Sequence, residues 1–507
     1  MTKGVRVSTA SETVACERAT IEMGTTSAEL MKRAGEGAAE NIATAFPDVS
    51  ATRVAVFAGS GNNGGDGWIV AGRLAATGYD VRVIETGAPR SDESREAKAT
   101  ATKAGARIAD DARDARVIVD ALLGTGSSGA PRDAVAIAVD EINRCRLDGA
   151  YVFSLDLPSG LDATTGQHEK SVIADTSISF GTIKRGHLIS RDACGEIVVL
   201  EIGLAESPEM KSLPLLIDAD WVKHRVPSIP ATAHKGSRKR LAIVGGGKGM
   251  AGAVTLSGEG ALRSGIGLLR IVAFRDSALP VHASIPAAIF QEWPVTADEL
   301  SKLVAAADAF AIGPGLGVSP ETRDLVERIL LASKASSVLD ADGLNLFAGD
   351  TDSLAVLLAG RRAVITPHPA EMGRLLEMST EDVLRDRFEI GAELSRKLEA
   401  AVLLKGTPSI VFAPSGERYV SAAGTAALAT GGSGDVLTGI VGTLIAQMPS
   451  SAEAAACAAF IHGRAAELCG IVRGTTLDDI LHALPAAWNE RVRDMPPNVI
   501  ARLRNYQ

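Results

Sequence analysis

Aromatic residues and paired cysteines are scarce in this sequence of 507 residues. Only 4% of the residues are aromatic while 46% are hydrophobic, so the core must consist mainly of Ala, Val, Leu and Ile, as helix-on-sheet packing prefers. The five cysteines show no CxxC or other paired-ligand spacing. This argues against a cysteine metal site and predicts buried, reduced thiols.

Long basic runs and long apolar runs are also missing. The formal net charge is −9, and the densest basic cluster is only Arg238 to Arg240, so we expect no nucleic-acid partner. The N-terminal segment has no apolar signal core. The longest apolar stretch, Val436 to Met448, is broken by glycines and shorter than the ~20 residues of a membrane helix. We therefore expect a cytoplasmic protein without a membrane partner.

The length predicts two or three domains, since one domain typically has ~100–200 residues. Strand-like and helix-like segments alternate along the chain, which predicts the α/β class, with mostly parallel sheets and helices on both faces. The predicted strands are Arg53–Ala58, Asp80–Ile84, Val117–Asp120, Tyr151–Leu155, Ser177–Phe180, Glu196–Leu200, Lys239–Gly245, Ala309–Ile312, Ser337–Leu339, Ala363–Thr366, Val402–Leu404, Ser409–Phe412 and Arg418–Val420. A proline-containing segment with a weak apolar pattern interrupts the alternation. We assign residues 1–212 to a first domain, 213–230 to a linker or domain edge, and 231–507 to a second domain.

A glycine-rich loop follows the first predicted strand. Residues 59–67 read GSGNNGGDG and lead directly into a predicted helix. Glycines let backbone N–H groups approach an anion closely, and the N-terminus of the helix adds a favourable dipole. A tight turn with an Asx cap is the alternative interpretation. The density of glycine and polar residues favours a ligand site.

Two further strands of the first domain end in aspartates. Asp120 precedes a second glycine-rich loop at 124–129, and Asp156 precedes the sequence LPSG. A single such aspartate is usually a helix cap, but Asp66, Asp120 and Asp156 would meet at one edge of a parallel sheet. Their hard oxygen atoms suit K⁺, Mg²⁺ or Ca²⁺ better than a soft metal.

The motifs GSGNNGGDG, DALLGTG, SLDLPSG and ELMKRAG closely resemble the NAD(P)H-hydrate epimerase family over about residues 10–205. The resemblance implies a Rossmann-like domain that binds hydrated NAD(P)H, with K⁺ nearby. It implies that Asp156 is the acid–base residue, and that Lys184, in GTIKRG, either assists or is a solvated surface lysine. The implied K⁺ ligands are Asn63, Asp120 and Ser159. The implied substrate-binding residues are Asn62, Asn63, Gly64, Gly65, Asp66, Gly124, Thr125, Gly126, Ser127, Ser128, Gly129, Ala130 and Asp156.

The second half repeats the pattern of strands followed by glycine-rich loops. GGGKGMAGA begins at Gly245 and GPGLG begins at Gly313. His368 lies between two prolines after a predicted strand, which places a titratable group in a rigid exposed loop. The strongest signal is GGSGD, residues 431–435, at the start of a helix. Consecutive N–H groups there would hold a transferring phosphoryl group, and Asp435 would take a proton from an attacking alcohol.

The motifs HKG, GPGLG, LDADGLN, TPHPAE, KGTPS and GGSGD resemble the NAD(P)H-hydrate dehydratases, a branch of the ribokinase-like superfamily, over about residues 220–490. That branch phosphorylates the C6 hydroxyl of the S-hydrate and expels phosphate. The resemblance implies that Asp435 is the base and that the nucleotide is ADP, used with Mg²⁺. The implied hydrate-binding residues are Ala253, Gly317, His368 and Asp435. The implied nucleotide-binding residues are Lys405, Gly406, Thr407, Pro408, Ser409 and Gly434.

Three functional hypotheses remain. The favoured one is a bifunctional repair enzyme with an epimerase domain and a nucleotide-dependent dehydratase domain. A ribokinase-like kinase for a small alcohol, with a regulatory N-terminal module, shares GGSGD but leaves the NNGGD domain unexplained. A third hypothesis makes the N-terminal half a non-catalytic nucleotide sensor. We also expect a homo-oligomer, because the Ala-rich helix near Ala452–Ala466 could self-associate, although core packing would explain the same composition.

Overall fold

The computed structural model describes residues 4–293, 295–490 and 495–506. The chain divides into two compact units, and the boundary lies between Leu215 and Leu216. Each unit contains one large sheet, and a pair of two-residue strands forms a third, minor sheet. The units are described separately below.

The first unit consists of short strands that alternate with helices. Its strands are β1 (Val7–Ser8), β2 (Arg53–Ala58), β3 (Asp80–Glu85), β4 (Arg107–Ile108), β5 (Val117–Ala121), β6 (Tyr151–Leu155), β7 (Thr176–Phe180), β8 (Ile183–Lys184) and β9 (Glu196–Leu200). Its helices are α1 (Ala10–Glu22), α2 (Ser27–Ala45), α3 (Asn62–Ala76), α4 (Asp92–Lys103), α5 (Asp133–Leu147), α6 (Arg185–Ile189), α7 (Arg191–Cys194) and α8 (Pro208–Ser212).

Helices cover both faces of the first sheet. Along β2, Val54 and Val56 pack with residues of α2, α3 and α4, whereas Ala55 and Phe57 pack with residues of α5. Successive side chains of a strand point to opposite faces, so a strand that is buried on both sides needs an uninterrupted apolar run. The sequence VAVFA supplies that run, and the unit has three layers.

The strand order of the first sheet creates a crevice at the carboxyl ends of β2 and β5. The order β9–β7–β6–β5–β2–β3–β4 is parallel throughout, and the chain leaves β2 in one direction and returns to β5 on its other side. Loops after β2 and β5 therefore diverge to opposite faces, which is where α/β sheets bind ligands. The loops GSGNNGGDG and GTGSSG follow these two strands.

The second unit has a larger, mixed sheet. Its strands are β10 (Leu215–Leu216), β11 (Arg240–Val244), β12 (Leu268–Phe274), β13 (Ile289–Trp293), β14 (Ala309–Ile312), β15 (Ser336–Leu339), β16 (Ala363–Ile365), β17 (Ala401–Leu404), β18 (Ser409–Phe412) and β19 (Arg418–Ser421). Its helices are α9 (Ala219–Arg225), α10 (Ala251–Arg263), α11 (Ala278–Ser284), α12 (Ala297–Ala306), α13 (Pro320–Ala332), α14 (Asp342–Asn345), α15 (Thr351–Leu358), α16 (Pro369–Leu376), α17 (Thr380–Arg385), α18 (Gly391–Leu398), α19 (Ser433–Gln447), α20 (Ser451–Leu468) and α21 (Leu477–Trp488).

The order of the second sheet is β10–β19–β18–β17–β16–β15–β14–β11–β12–β13. In this order, the seven neighbouring strands β17, β16, β15, β14, β11, β12 and β13 are parallel, and β18 and β19 add an antiparallel hairpin. The crevice lies between β11 and β14, because β12 and β13 extend from one side of β11 and β14 lies on the other. The sequence-based prediction of α/β units with mostly parallel sheets is confirmed.

Two segments differ from the sequence-based division. Residues 213–230 were assigned to a linker, and the structure places β10 and α9 there. Residues 231–507 were assigned to one domain, and the structure returns a last strand, β20 (Val499–Leu503), to the first sheet, antiparallel to β9. This edge strand has only five residues, so its alternating pattern is too short to show from sequence which sheet it joins.

The Ala-rich helix α20 belongs to the core of its own unit. Its residues Ala454, Ala458 and Ala465 are fully buried among apolar side chains. The composition that suggested self-association is therefore explained by packing within the unit. None of the helices in the described ranges is long and apolar enough to cross a bilayer. All five cysteines are free thiols.

Candidate active sites

Glycines fix the shape of the loop after β2. A Cβ atom on Gly59 would lie 1.9 Å from the Leu122 carbonyl oxygen, and one on Gly64 would lie 1.9 Å from the Gly59 carbonyl oxygen. Helix α3 begins at Asn62, so the residues from Gly64 to Asp66 lie in its first turns, with their backbone at the sheet edge. The close approach brings the loop after β2 against the loop after β5.

We predict that Gly59→Ala destabilises the protein by at least about 1–3 kcal/mol, because the new methyl group would overlap backbone atoms that cannot rotate away. Gly61→Ala in the same loop is the matched control, since a Cβ atom there has no neighbour within 4 Å. Urea unfolding of both variants, compared with the natural chain, measures the difference. Equal midpoints for the two variants would contradict the packing described above.

The two loops enclose a cleft of about 770 Å³ in the first unit. This volume suits a nucleotide-sized ligand. Of the residues predicted to bind substrate, those that line the cleft are Asn62, Asn63, Asp66, Gly124, Thr125, Gly126, Ser127 and Asp156. Gly64 and Gly65 pack against other residues behind it, and Ser128, Gly129 and Ala130 are not part of its lining.

Asp156 is held by an unusual set of contacts at the floor of this cleft. Its backbone has a φ of +65°, which is uncommon for a residue with a side chain. One carboxylate oxygen, Oδ1, accepts a hydrogen bond from the Lys184 ammonium. The other, Oδ2, accepts from the Thr125 backbone N–H at 2.9 Å and from the Thr125 hydroxyl. Burial opposes ionisation, but Lys184 and these hydrogen bonds outweigh it and hold the pKa of Asp156 below its usual range.

Lys184 is fully buried. Besides Asp156, its ammonium donates to the Ser179 hydroxyl at 3.1 Å and to the Phe180 carbonyl at 3.4 Å. The alternative of a solvated surface lysine is therefore wrong. A buried ammonium needs a charged partner, and Asp156 supplies it.

Asn63, Asp120 and Ser159 come together beside Asp156. The Ser159 hydroxyl donates to Asp120 Oδ1 at 2.6 Å, and the Ser159 backbone N–H donates to Oδ2 at 2.8 Å. The Asn63 amide donates to the Leu123 carbonyl at 2.9 Å, but no group in the described part of the chain donates a hydrogen bond to its buried Oδ1 atom. An unsatisfied amide oxygen beside a buried carboxylate is the environment in which a cation replaces missing donors.

Two further carboxyls face the same cleft. Burial and the neighbouring Asp156 raise the pKa of Asp66 well above its usual range, since Lys184 offsets only part of their effect. The same two causes raise the pKa of Glu17, on α1. Asp66 belongs to a predicted motif, whereas Glu17 was not predicted, because nothing distinguishes it in sequence from a solvated residue of an amphipathic helix.

In the second unit, glycines again allow the loops at the crevice to touch. A Cβ atom on Gly245 would lie 2.1 Å from the Pro314 carbonyl oxygen. Ala253, in the first turn of α10, lies beside Gly315 of the GPGLG loop. The Gly317 N–H donates to Asp342 Oδ2 at 2.8 Å. The predicted residues Ala253 and Gly317 thus lie on the same group of loops.

Lys405 lies at the centre of the carboxylates of this site. Its ammonium donates to Asp340 Oδ1 at 2.6 Å and lies 3.6 Å from Glu371 Oε2. Burial lowers the pKa of Lys405, but the two carboxylates outweigh burial and hold that pKa above its usual range. A Cβ atom on Gly434 would lie 3.4 Å from the ammonium, so Lys405 is next to the start of α19.

Asp435 lies in the first turn of α19. Burial, followed by the charges of Asp340, Asp342 and Glu371, raises the pKa of Asp435 to about 7, and Lys405 offsets only part of this. A carboxyl group with a pKa near neutrality can both take up and release a proton at physiological pH. This is the property that a general base requires.

His368 caps the N-terminus of α16. Its Nδ1 atom accepts hydrogen bonds from the Ala370 N–H at 3.1 Å and the Glu371 N–H at 3.3 Å. Burial lowers the pKa of His368, although the neighbouring Glu371 acts in the opposite direction. The neutral ring therefore has its N–H on Nε2, which lies 3.5 Å from Glu371 Oε1.

The loop KGTPS after β17 forms a tight turn. The Ser409 hydroxyl accepts from the Gly406 N–H at 3.3 Å and donates to the Gly406 carbonyl at 3.0 Å. The nearly buried Arg387 guanidinium donates to the Thr407 carbonyl at 2.9 Å. Arg387 was not predicted, because it lies on a connecting segment without any recognisable motif.

Comparisons with known proteins match both units. Residues 241–485 match the model of the NAD(P)H-hydrate dehydratase family, and residues 27–186 match the model described as YjeF-related protein N-terminus. The bifunctional NAD(P)H-hydrate repair enzyme of Escherichia coli (strain K12) is 35% identical, over 93% of this chain and 92% of its own length.

This chain belongs to the bifunctional NAD(P)H-hydrate repair enzymes. The relative from Moorella thermoacetica, which has the same name, is 34% identical over 90% of this chain and 91% of its own. A solved structure of the ADP/ATP-dependent NAD(P)H-hydrate dehydratase from Bacillus subtilis, co-crystallised with ATP and Mg²⁺, is 27% identical. It covers 54% of this chain and 96% of its own, with a TM-score of 0.48.

For a repair enzyme of this family, the division of the two sites follows the division of the chain. The cleft with Asp156 lies wholly in the first unit, within the half that contains the YjeF-related match. The cluster around Asp435 and Lys405 lies within the half that matches the dehydratase model. Glu17 precedes the matched residues of the first half.

Proposed function

We propose that the first unit interconverts the R- and S-hydrates of NAD(P)H and that the second unit dehydrates the S-hydrate to NAD(P)H with a nucleotide. The observation that carries this proposal is that each unit places a motif aspartate among buried charges at a ligand-binding edge of its sheet. Family membership supports both activities. The two belong on one chain because only one epimer is dehydrated, so the first unit feeds the other epimer to the second.

In the first unit, Asp156 is the carboxylate beside the C6 carbinol. Breaking the C6–O bond leaves a cation that spreads onto the ring nitrogen, and an ionised carboxylate stabilises it. Lys184 and Thr125 keep Asp156 ionised and fixed in place. The NNGGD and GTG loops would hold the nucleotide part of the substrate through backbone N–H groups.

Asn63, Asp120 and Ser159 would hold K⁺. The unsatisfied Asn63 Oδ1 atom and the buried Asp120 carboxylate fit a hard monovalent cation. When bound, K⁺ would supply positive charge that holds the NNGGD loop in place and attracts an anionic substrate. Thermal unfolding in K⁺ compared with Na⁺ tests this assignment without any activity measurement.

In the second unit, Asp435 takes the proton of the C6 hydroxyl as that oxygen attacks the terminal phosphoryl group of the nucleotide. The N–H groups at the start of α19, including that of Gly434, face the charge that develops on the phosphoryl oxygens. The ring nitrogen then helps to expel phosphate from C6, and loss of a proton from C5 forms the C5–C6 double bond of NAD(P)H. Ala253, Gly317 and His368 would contact the hydrate, and the turn from Lys405 to Ser409 would contact the nucleotide.

We propose ADP with Mg²⁺ as the phosphoryl donor, as the resemblance to fused bacterial chains implies. Mg²⁺ prefers oxygen ligands and commonly enters with the phosphates of its nucleotide. The negative charges of Asp342 and Glu371, which help to raise the pKa of Asp435, would attract the ion to this part of the site. The bound ion would neutralise charge on the transferring phosphoryl group.

A recovery assay tests the whole scheme. A mixture of R- and S-hydrates is incubated with Mg²⁺ and either ADP or ATP, and absorbance of the reduced nicotinamide is followed. Recovery from both epimers supports the two activities, and recovery from the S-form alone supports a dehydratase with an inactive first unit. A phosphorylated small alcohol without recovery would favour the kinase alternative.

We expect the dehydratase kcat/KM to rise with pH and to level off above about pH 7. Asp435 accepts a proton only when it is ionised, and its pKa is raised to about 7. Each pH unit below that value should therefore lower kcat/KM about tenfold. Initial rates from pH 5.5 to 9, with thermal unfolding checked in each buffer, measure the profile. A flat profile between pH 6 and 8 would remove Asp435 as the base.

We also propose that the enzyme works in the cytoplasm, where its five free thiols would stay reduced. A homo-oligomer remains a proposal as well. Light scattering on the purified chain determines the mass in solution and tests it directly.

A further inference from the structure

Exchange of the two epimers requires proton transfer on both faces of the ring, and this inference rests on the proposed epimerase function. The departing C6 oxygen takes the electrons of the C6–O bond and one proton, and leaves as water. The ring nitrogen donates its lone pair to form a C6–N double bond. Water then adds to the opposite face of C6 and releases one proton, so nothing is oxidised or reduced. A donor on one face and an acceptor on the other would serve this sequence.

Asp156 has the contacts of an acceptor rather than a donor. Its two oxygens together accept three hydrogen bonds, from the Lys184 ammonium and from the backbone and hydroxyl of Thr125. Each of these donors favours the ionised form. A water molecule that has just added to a cation is a strong acid, so an ionised Asp156 can take its proton. Asp156 is, however, mostly ionised at neutral pH, so it is seldom available to give a proton to a departing hydroxyl.

Glu17 is a candidate for the group that donates a proton to the departing hydroxyl. It lies on α1 and lines the same cleft as Asp156 and Asn63. Within the described ranges, its carboxyl takes part in no hydrogen bond and no ion pair, and the side chain is only partly exposed. It is therefore free to contact a ligand in the cleft.

We propose that Glu17 is the second proton-carrying side chain of the epimerase cleft, which gives a proton to the departing hydroxyl while Asp156 takes one from the water that arrives on the opposite face. In the reverse direction the two side chains exchange roles. Burial and the charge of Asp156 raise the pKa of Glu17, which increases its protonated fraction. Two carboxyls with pKa values shifted in opposite directions are a common arrangement of an acid and a base.

The other charges around Glu17 come from several elements. Asp156 and Lys184 affect the pKa of Glu17 through their charges, and Glu17 affects the pKa of Asp66 in the same way. The further charged groups of the cleft lining are Arg90, Arg132 and Asp133. Outside the cleft, Glu12 and Arg18 lie on α1 itself, and Arg185 and Glu209 lie near it. Asp66 is the rival proton donor, but it is almost completely buried in the first turns of α3.

The test compares Glu17→Gln, Glu17→Asp and Asp66→Asn in the full chain, with Glu22→Gln as the matched control. Glu22 lies at the exposed end of the same helix and pairs with Arg18. Exchange of purified epimers is followed by NMR without nucleotide. We expect Glu17→Gln to lower kcat for exchange by at least about 10²-fold, with little change in KM or in dehydratase turnover. Glu22→Gln should leave exchange unchanged.

The pH profile separates proton transfer from a structural role. If Glu17 acts as the acid, exchange by the natural chain falls as pH rises through the pKa of Glu17, and Glu17→Gln loses this limb. Glu17→Asp should keep the limb with part of the rate. If the natural chain exchanges the epimers and Glu17→Gln has the same rate and the same pH profile, the inference is overturned while the proposed function stands. The same holds if Asp66→Asn, and not Glu17→Gln, loses the limb. Absence of exchange in the natural chain overturns the proposed function itself.

Discussion

Asp435→Asn is expected to lower nucleotide-dependent recovery of NAD(P)H by at least about 10²-fold and to leave exchange of the epimers at its natural rate. The amide has nearly the shape of the carboxyl group but cannot accept the hydroxyl proton. Recovery from the S-hydrate with saturating ADP and Mg²⁺ measures the first effect, and NMR exchange without nucleotide measures the second. Near-normal recovery would show that another group is the base.

The same variant has a stability signature that excludes unfolding as the cause. Burial and nearby carboxylates raise the pKa of Asp435 from 3.8 to about 7, so this group destabilises the folded state increasingly as the pH rises through that range, and the full penalty is present above about pH 7. A neutral asparagine removes this penalty. We therefore expect Asp435→Asn to have a higher Tm than the natural chain at pH 8, and we expect this difference to shrink steadily as the pH falls from about 7 toward 3.8. Asp352→Asn, at an exposed position of the same unit, is the control and should change neither recovery nor Tm.

Much of the sheet framework could be predicted from sequence because its strands are buried on both faces. Arg53–Ala58, Tyr151–Leu155 and Ala309–Ile312 have the bounds that their apolar runs predicted. Strands β12 and β13 were missed, as were β20 and the two-residue strands β1, β4, β8 and β10. In β12 the apolar run contains Arg270, and β13 is an edge strand whose five residues include two polar ones. Edge strands need less burial, and their pattern is correspondingly weak.

Site residues within a motif that fixes the backbone could be predicted from sequence. Site residues that belong to distant segments of the chain could not. The spacing of GSGNNGGDG and GGSGD locates both loops, because only glycine allows such close backbone approaches. The pairing of Lys405 with Asp340 joins residues 65 positions apart. Arg387 and Glu17 reach their sites from segments without motifs, so only the fold reveals them.

The two sites use opposite electrostatics for the same type of residue. Burial and the charges of three nearby carboxylates raise the pKa of Asp435, whereas the pKa of Asp156 is lowered because one buried ammonium and Thr125 contact it and outweigh burial. The first environment produces a base that can exchange a proton near neutral pH. The second favours the ionised carboxylate, which suits the stabilisation of a cation.

The variant Asp156→Asn should therefore lose two properties that can be measured separately, exchange of the epimers and folding stability. We expect exchange of the epimers to fall by at least about 10²-fold, since the charge that faces the cation is lost, while dehydration of pure S-hydrate continues. The change also leaves the buried Lys184 ammonium without its partner, which should cost about 3–5 kcal/mol of unfolding free energy.

A second variant separates these effects. Asp156→Asn combined with Lys184→Met removes both charges, so unfolding in urea should return most of the way to the natural midpoint while exchange stays lost. Recovery of exchange along with stability in the double variant would mean that Asp156 serves only to neutralise Lys184. If exchange stays absent in a stable protein, the negative charge itself acts on the substrate, because the loss of folding stability has then been excluded as the cause.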